Sequence, residues 1–92
     1  MIEVTHARRV DGYRIEIRFS TGESGIVDLA ESLWGPVFEP LRQPERFAEF
    51  TLSPTLHTIA WGNDADFAPE YLRDKMIEQA AAADRKHAAA ER

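Results

Sequence analysis

Asp11-Gly12-Tyr13-Arg14-Ile15-Glu16-Ile17-Arg18-Phe19 is the stretch that decides the fold. Tyr13, Ile15, Ile17 and Phe19 alternate with Arg14, Glu16 and Arg18. Period two marks a strand with one buried and one wet face. Asp11-Gly12 ahead of it reads as a two-residue hairpin turn, because glycine accepts the positive φ that such turns need. The segment from Ile2 to Val10 is therefore the predicted antiparallel partner, with Ile2 and Val4 on its apolar face. Downstream, Ser20-Thr21-Gly22-Glu23 reads as a second turn. Ser24 to Leu29 then supplies a third strand, which completes a three-stranded meander.

Past the meander the pattern changes. Pro36, Pro40 and Pro44 exclude a central strand or a long helix. Short helical turns are expected there, with Val37, Phe38, Leu41 and Phe47 in the core. Residues 48–52 and 56–61 read as a second hairpin across Ser53-Pro54-Thr55, with Ile59 and Trp61 inward. Gly62-Asn63-Asp64 reads as a loop. One helix is predicted from Pro69 to the end, since proline suits the first helical position. Asp66 or Ala68 would cap it. Acids at 64, 66 and 70 suit its N-terminus, and Arg85, Lys86 and Arg92 its C-terminus. Leu72, Met76, Ala80 and Ala83 fall on one face. The alanine-rich end favours helix but has little to bury, so it is expected to project, fray or pack on a partner. The expected fold is α+β: a small antiparallel sheet, a second hairpin, short helical turns and a long C-terminal helix. Residues 1–73 read as a single domain and 74–92 as a helical tail.

Composition narrows the function. The chain has 92 residues and no cysteine, with 16 acids against 11 bases, net −5. That size allows one domain with a small core. Disulfides and thiolate metal sites are excluded. A net acidic chain argues against a general nucleic-acid binder. Met1 to His6 lack the basic-then-apolar order of a signal peptide. No run of apolar residues is long enough to span a bilayer. The expected compartment is the cytoplasm.

The acidity is uneven. Residues 1–18 and 73–92 each carry net +1, whereas residues 19–72 carry nine acids and two bases. If Glu23, Asp28, Glu31, Glu39, Glu45 and Glu49 shared a surface, it would steer basic partners; a solvated, solubility-giving surface is the competing reading. Asp64, Asp66 and Glu70 could hold a divalent cation, but their spacing does not match a calcium loop, and helix N-terminal charge and capping is the favoured reading. His6, His57 and His87 are scattered, and zinc needs three or four ligands. Ser20, Ser24, Ser32 and Ser53 lack a nucleophile-elbow context. Glu16, between Arg14 and Arg18, is expected to pair with them rather than act as a base. Trp61 ends a strand and belongs in the core. Trp34 precedes Gly35-Pro36; it either caps the core edge, the reading favoured here, or stands out as an interface anchor.

Several segments in one order carry a resemblance: Gly25-Ile26-Val27-Asp28-Leu29, then Gly35-Pro36-Val37-Phe38, then Thr58-Ile59-Ala60-Trp61, then Asp66-Phe67-Ala68-Pro69-Glu70-Tyr71-Leu72. Over about residues 2–73 the chain resembles the small prokaryotic family named domain of unknown function 2442. The resemblance implies an α+β, mainly antiparallel fold and brings no catalytic residues. Some relatives add a helix-turn-helix DNA-binding domain; the residues after Arg73 are too few for one. Short relatives often look like partners of small toxin-like genes, which implies an antitoxin or accessory role.

No set of residues meets the requirements of an active site, and no cofactor is expected. The expectation is a non-enzymatic protein-interaction module, an antitoxin-like or regulatory partner of a small basic protein. Its candidate surface is Glu23, Asp28, Glu31, Trp34, Glu39, Glu45, Glu49, Asp64, Asp66 and Glu70. The alternatives are a self-associating structural domain and a small-ligand or divalent-metal regulator. Direct nucleic-acid binding is not expected.

Overall fold

A computed structural model describes residues 1–62 and 65–90, with side chains described as far as Ala83. Asn63, Asp64 and Arg92, and the side chains of Arg85, Lys86 and His87, lie outside the described residues.

Three strands form the expected meander: β1 (Val4–Asp11), β2 (Arg14–Phe19) and β3 (Ser24–Asp28), antiparallel in the order β1-β2-β3. Ile15, Ile17 and Phe19 are buried, and Arg14 and Arg18 face water, as the alternation requires. The hairpin closes one residue later than the Asp-Gly reading: Asp11 pairs with Arg14, so Gly12 and Tyr13 form the turn. Gly12 takes φ +44°, a value glycine adopts without strain. The Arg14 guanidinium donates to the Asp11 carboxylate at 2.8 Å, which staples the two strand ends. That hydrogen bond holds the Asp11 carboxyl below its usual range.

The pairing of β1 slips between Val4 and His6, where Thr5 is an extra residue. Without that bulge Val4, His6 and Arg8 would share one face. With it Val4 stays in the core and His6 and Arg8 turn to the outer face. Arg8 then stands opposite Glu16, and its guanidinium lies 3.4 Å from the Glu16 carboxylate. Glu16 is thus paired across the strands to Arg8, with His6 at 3.6 Å, and not along β2 to Arg14 and Arg18 as expected.

After β3 come two short 3-10 turns, Ala30–Ser32 and Glu39–Arg42, and a single helical turn α1 (Pro44–Phe47). Leu41 and Phe47 are buried and Phe38 is half-buried against the core, but Val37 is 46% exposed. The turn explains the difference. Phe38 and Glu39 both donate backbone N–H groups to the Gly35 carbonyl, which winds the chain tightly enough to send Val37 and Phe38 in different directions.

The second hairpin is present but short: β4 (Thr51–Leu52) pairs with β5 (Ile59–Ala60). Ser53 closes its loop, accepting the N–H groups of Thr55 and Leu56 at its hydroxyl. His57 takes a left-handed φ of 56°, and its carbonyl accepts the Val4 N–H at 2.9 Å, docking this hairpin on the start of β1. Ile59 and Trp61 point inward as expected. The Trp61 indole N–H donates to the Phe47 carbonyl at 2.9 Å, and Phe47 also touches the rings of Tyr13 and Phe50.

The long helix α2 runs Pro69–Ala90, and its 22 residues span about 33 Å. Leu72 N–H donates to the Ala68 carbonyl, which makes Ala68 the entry point. Leu72 and Met76 are buried, whereas Ala80 and Ala83 are exposed, so only half of the expected face meets the core. The contact with the sheet runs as far as Gln79. Its side-chain amide both accepts from the Asp28 N–H and donates to the Asp28 carbonyl, each at 2.8 Å. Met76 lies over Gly25 so closely that a Cβ there would meet its sulfur at 3.0 Å. Gly25→Val is therefore expected to destabilise the fold by about 1–3 kcal/mol through overpacking, while Gly25→Ala costs less because Met76 can swing aside. Urea unfolding of the two variants checks the order.

Candidate interaction surface

An open cleft of about 400 Å³ lies where the segment after β3 meets the start of α2. Three aromatic residues build one wall. Phe38 stacks on Phe67 at 4.7 Å between centroids, and Phe67 stacks on Tyr71 at 5.4 Å. Trp61 meets Phe67 edge-on at 5.9 Å from the core side. Such ring pairs add about 0.5–1.5 kcal/mol each beyond burial, so the wall is stiff. At the wall's base the hydroxyls of Ser32 and Tyr71 share a hydrogen bond of 2.7 Å.

Trp34 forms the other lip and is 70% exposed. This overturns the core-edge reading. Leu33, one residue earlier, is fully buried and takes the place expected of the tryptophan. The Arg42 guanidinium donates to the Leu33 carbonyl at 2.6 Å, and Gly35, at φ +88°, turns the chain back immediately after. Trp34 is thereby held outward by a fixed backbone. Asp66 lines the same cleft, and its carboxylate makes no ion pair among the described residues.

The acidic candidates are held in different ways. Glu23 is bound to Arg73 of α2 by two hydrogen bonds of 2.6 and 3.1 Å. Asp28 accepts the Ala30 N–H at 2.9 Å, at the start of the first 3-10 turn. Glu31 lines a neighbouring depression with Lys75 and Gln79, which meets the aromatic cleft at Ser32. Glu49 lines a separate hollow with Arg46 and Trp61. Glu39, Glu45 and Glu70 are exposed, in the second 3-10 turn and the first turns of α1 and α2. The structure thus brings Trp34 and Asp66 together, with Glu31 beside them. Among the described residues no three His, Asp or Glu side chains gather as a metal site, and no helix is long and apolar enough to cross a membrane.

Sequence reading missed five of the cleft's residues as a site: Ser32, Phe38, Phe67, Ala68 and Tyr71. The spacing of Phe67 and Tyr71, four apart at a helix start, is the one local signal that could have paired them.

The Glu23–Arg73 pair has a pH consequence. Hydrogen bonds from Arg73, then from Thr21, hold the Glu23 carboxyl below its usual range. A depressed folded-state value stabilises above the unfolded value of about 4.3 and is lost as pH falls through the folded one. Acid unfolding of Glu23→Gln is accordingly expected to show a shallower loss of stability below about pH 4.3 than the parent chain. Thermal melts between neutral and acid pH measure it.

The comparisons agree with this architecture. The crystal structure of Putative DNA Binding Protein NE0471 from Nitrosomonas europaea ATCC 19718 matches with a TM-score of 0.65 and 28% identity. The match covers 88% of this chain and 52% of that one, so the chain spans about half of that protein's length. No curated protein matches. The family described as Protein of unknown function (DUF2442) matches residues 4–78, from the first residue of β1 to within one residue of Gln79. On that match, which takes in the sheet, the cleft and the packed part of α2, the chain belongs to the DUF2442 family.

Proposed function

We propose that this chain is a non-enzymatic protein-interaction module, of antitoxin-like or regulatory accessory type, that binds a basic protein through the aromatic cleft. The observation that carries the reading is Trp34, held outward on a fixed loop beside an open apolar cleft. Burying such a side chain in a partner gains about 2–3 kcal/mol. Tryptophan in this setting is the usual anchor of an interface. Asp66 in the cleft and Glu31 in the adjoining depression give a basic partner complementary charge at that place.

A photo-cross-linking residue at position 68, in the cleft, tests it in the native cell; the same residue at position 26, on the outer sheet face, is the control. The expected result is one discrete adduct from position 68, lost on Trp34→Ala, and none from position 26. Equal adducts at both positions, or an adduct indifferent to Trp34, overturn the reading. An adduct at twice the chain mass assigns the cleft to a second copy instead.

A nucleic-acid role has one observation in its favour, the name of the Nitrosomonas protein, of which this chain covers half. The outer sheet face does carry His6, Arg8, Arg14 and Arg18. However, Glu16 and Asp11 pair with Arg8 and Arg14, so the face offers little net charge to phosphates. Fluorescence anisotropy with a labelled duplex at physiological salt is expected to show no binding tighter than about 100 µM, the weak end of non-specific affinity.

A further inference from the structure

We infer that the group the cleft receives is an arginine side chain of the partner; this rests on the interaction reading above and specifies its chemistry. The cleft joins two features that separately would admit many occupants. Trp34 offers an exposed indole, and Asp66 offers a carboxylate with no ion pair among the described residues. A purely apolar anchor would cover Trp34 but strip water from Asp66 and return nothing. A lysine ammonium would satisfy the charge, but it is strongly hydrated and presents no flat face to the indole. A guanidinium does both at once. It stacks on aromatic rings, loses its weak hydration at small cost and presents a fork of donors to a carboxylate. The Ser32–Tyr71 hydroxyl pair adds oxygen acceptors at the base of the wall.

The resident cations do not pre-empt the place. Arg42 is committed to the Leu33 carbonyl, and Arg46 lines another hollow. Lys75 sits 5.9 Å from the Tyr71 ring centroid, but it lines the adjoining depression and lies 4.0 Å from Glu78.

The test is an NMR titration of the full chain with three probes: the N-acetyl, N-methylamide forms of arginine, lysine and leucine. Two tryptophans give two indole N–H signals, and the one bonded to the Phe47 carbonyl belongs to Trp61 and reports on the fold. The expected result is a saturable shift of the Trp34 indole and of the Ala68 amide with the arginine probe. The lysine probe should bind more weakly, and the leucine probe should give no saturable shift. Asp66→Asn should weaken the arginine probe about tenfold, the worth of one charged hydrogen bond, with the Trp61 signal in place. Binding of the leucine probe as tight as that of arginine overturns the inference, as does full affinity in Asp66→Asn or silence with all three. The cross-link from position 68 reads the broader proposal independently. An adduct that depends on Trp34, together with no preference for arginine, keeps the interaction module and rejects its arginine anchor.

Discussion

Trp34→Ala is expected to weaken binding of the captured partner by about 30-fold or more, equivalent to about 2 kcal/mol, the threshold of an interface hot spot. The same substitution is expected to change folding stability by less than about 0.5 kcal/mol, because the side chain is mostly in water already. The two numbers together make the test sharp. Tryptophans usually serve the fold, and truncating a buried one costs about 3–5 kcal/mol. Trp61 is the internal contrast: it is buried, bonded to the Phe47 carbonyl and in contact with three aromatic rings. Calorimetric titration with the partner gives the first number and urea unfolding the second. A Trp34→Ala chain that unfolds early, or binds as before, places the tryptophan in the fold or outside the interface.

The other large effect is expected at Phe47. Phe47→Ala should destabilise the fold by about 3–5 kcal/mol. A chain of this size has a total stability of roughly 5–14 kcal/mol, so the loss is a large share. Thermal denaturation should move down by at least about 12 °C. The reason is position. Phe47 is fully buried, and its ring meets Tyr13 from the β1–β2 turn, Phe50 ahead of β4 and Trp61 after β5. Its backbone carbonyl also takes the Trp61 indole N–H. One side chain therefore ties the three-stranded sheet to the second hairpin. Phe47→Leu, which keeps most of the volume, should cost less than half as much.

Phe47 was legible as core, and so was most of the meander, because local pattern carries that information. Alternation from Tyr13 to Phe19 fixes which face is buried whatever the rest of the chain does. Trp34 and Val37 were not legible. From Leu33 to Pro44 the backbone has no period, so nothing in the pattern separates the apolar residues that turn inward, such as Phe38 and Leu41, from those that turn outward. The bulge at Thr5 is another nonlocal matter. It decides the faces of His6 and Arg8 and so replaces the expected partners of Glu16 with cross-strand ones. The candidate acids divide by the same logic. Glu23 and Asp28 look free in the sequence, yet their partners, Arg73 and Gln79, are 50 and 51 residues away. Trp34 and Asp66, also far apart, converge only because Leu33 is anchored beneath one and α2 begins just after the other.

The amide of Gln79 has a consequence of its own. β3 is an outer strand, and the Asp28 N–H and carbonyl that Gln79 engages are groups that a foreign strand would seize first. A side-chain amide donates and accepts much as a peptide unit does, so Gln79 imitates a residue of a fourth strand and fills that place from within. The helix that looks like an appendage thus covers the Asp28 end of the β3 edge. Cutting the chain before Gln79 would do more than remove a turn of packing: it would reopen the Asp28 end of β3 to pairing with another chain.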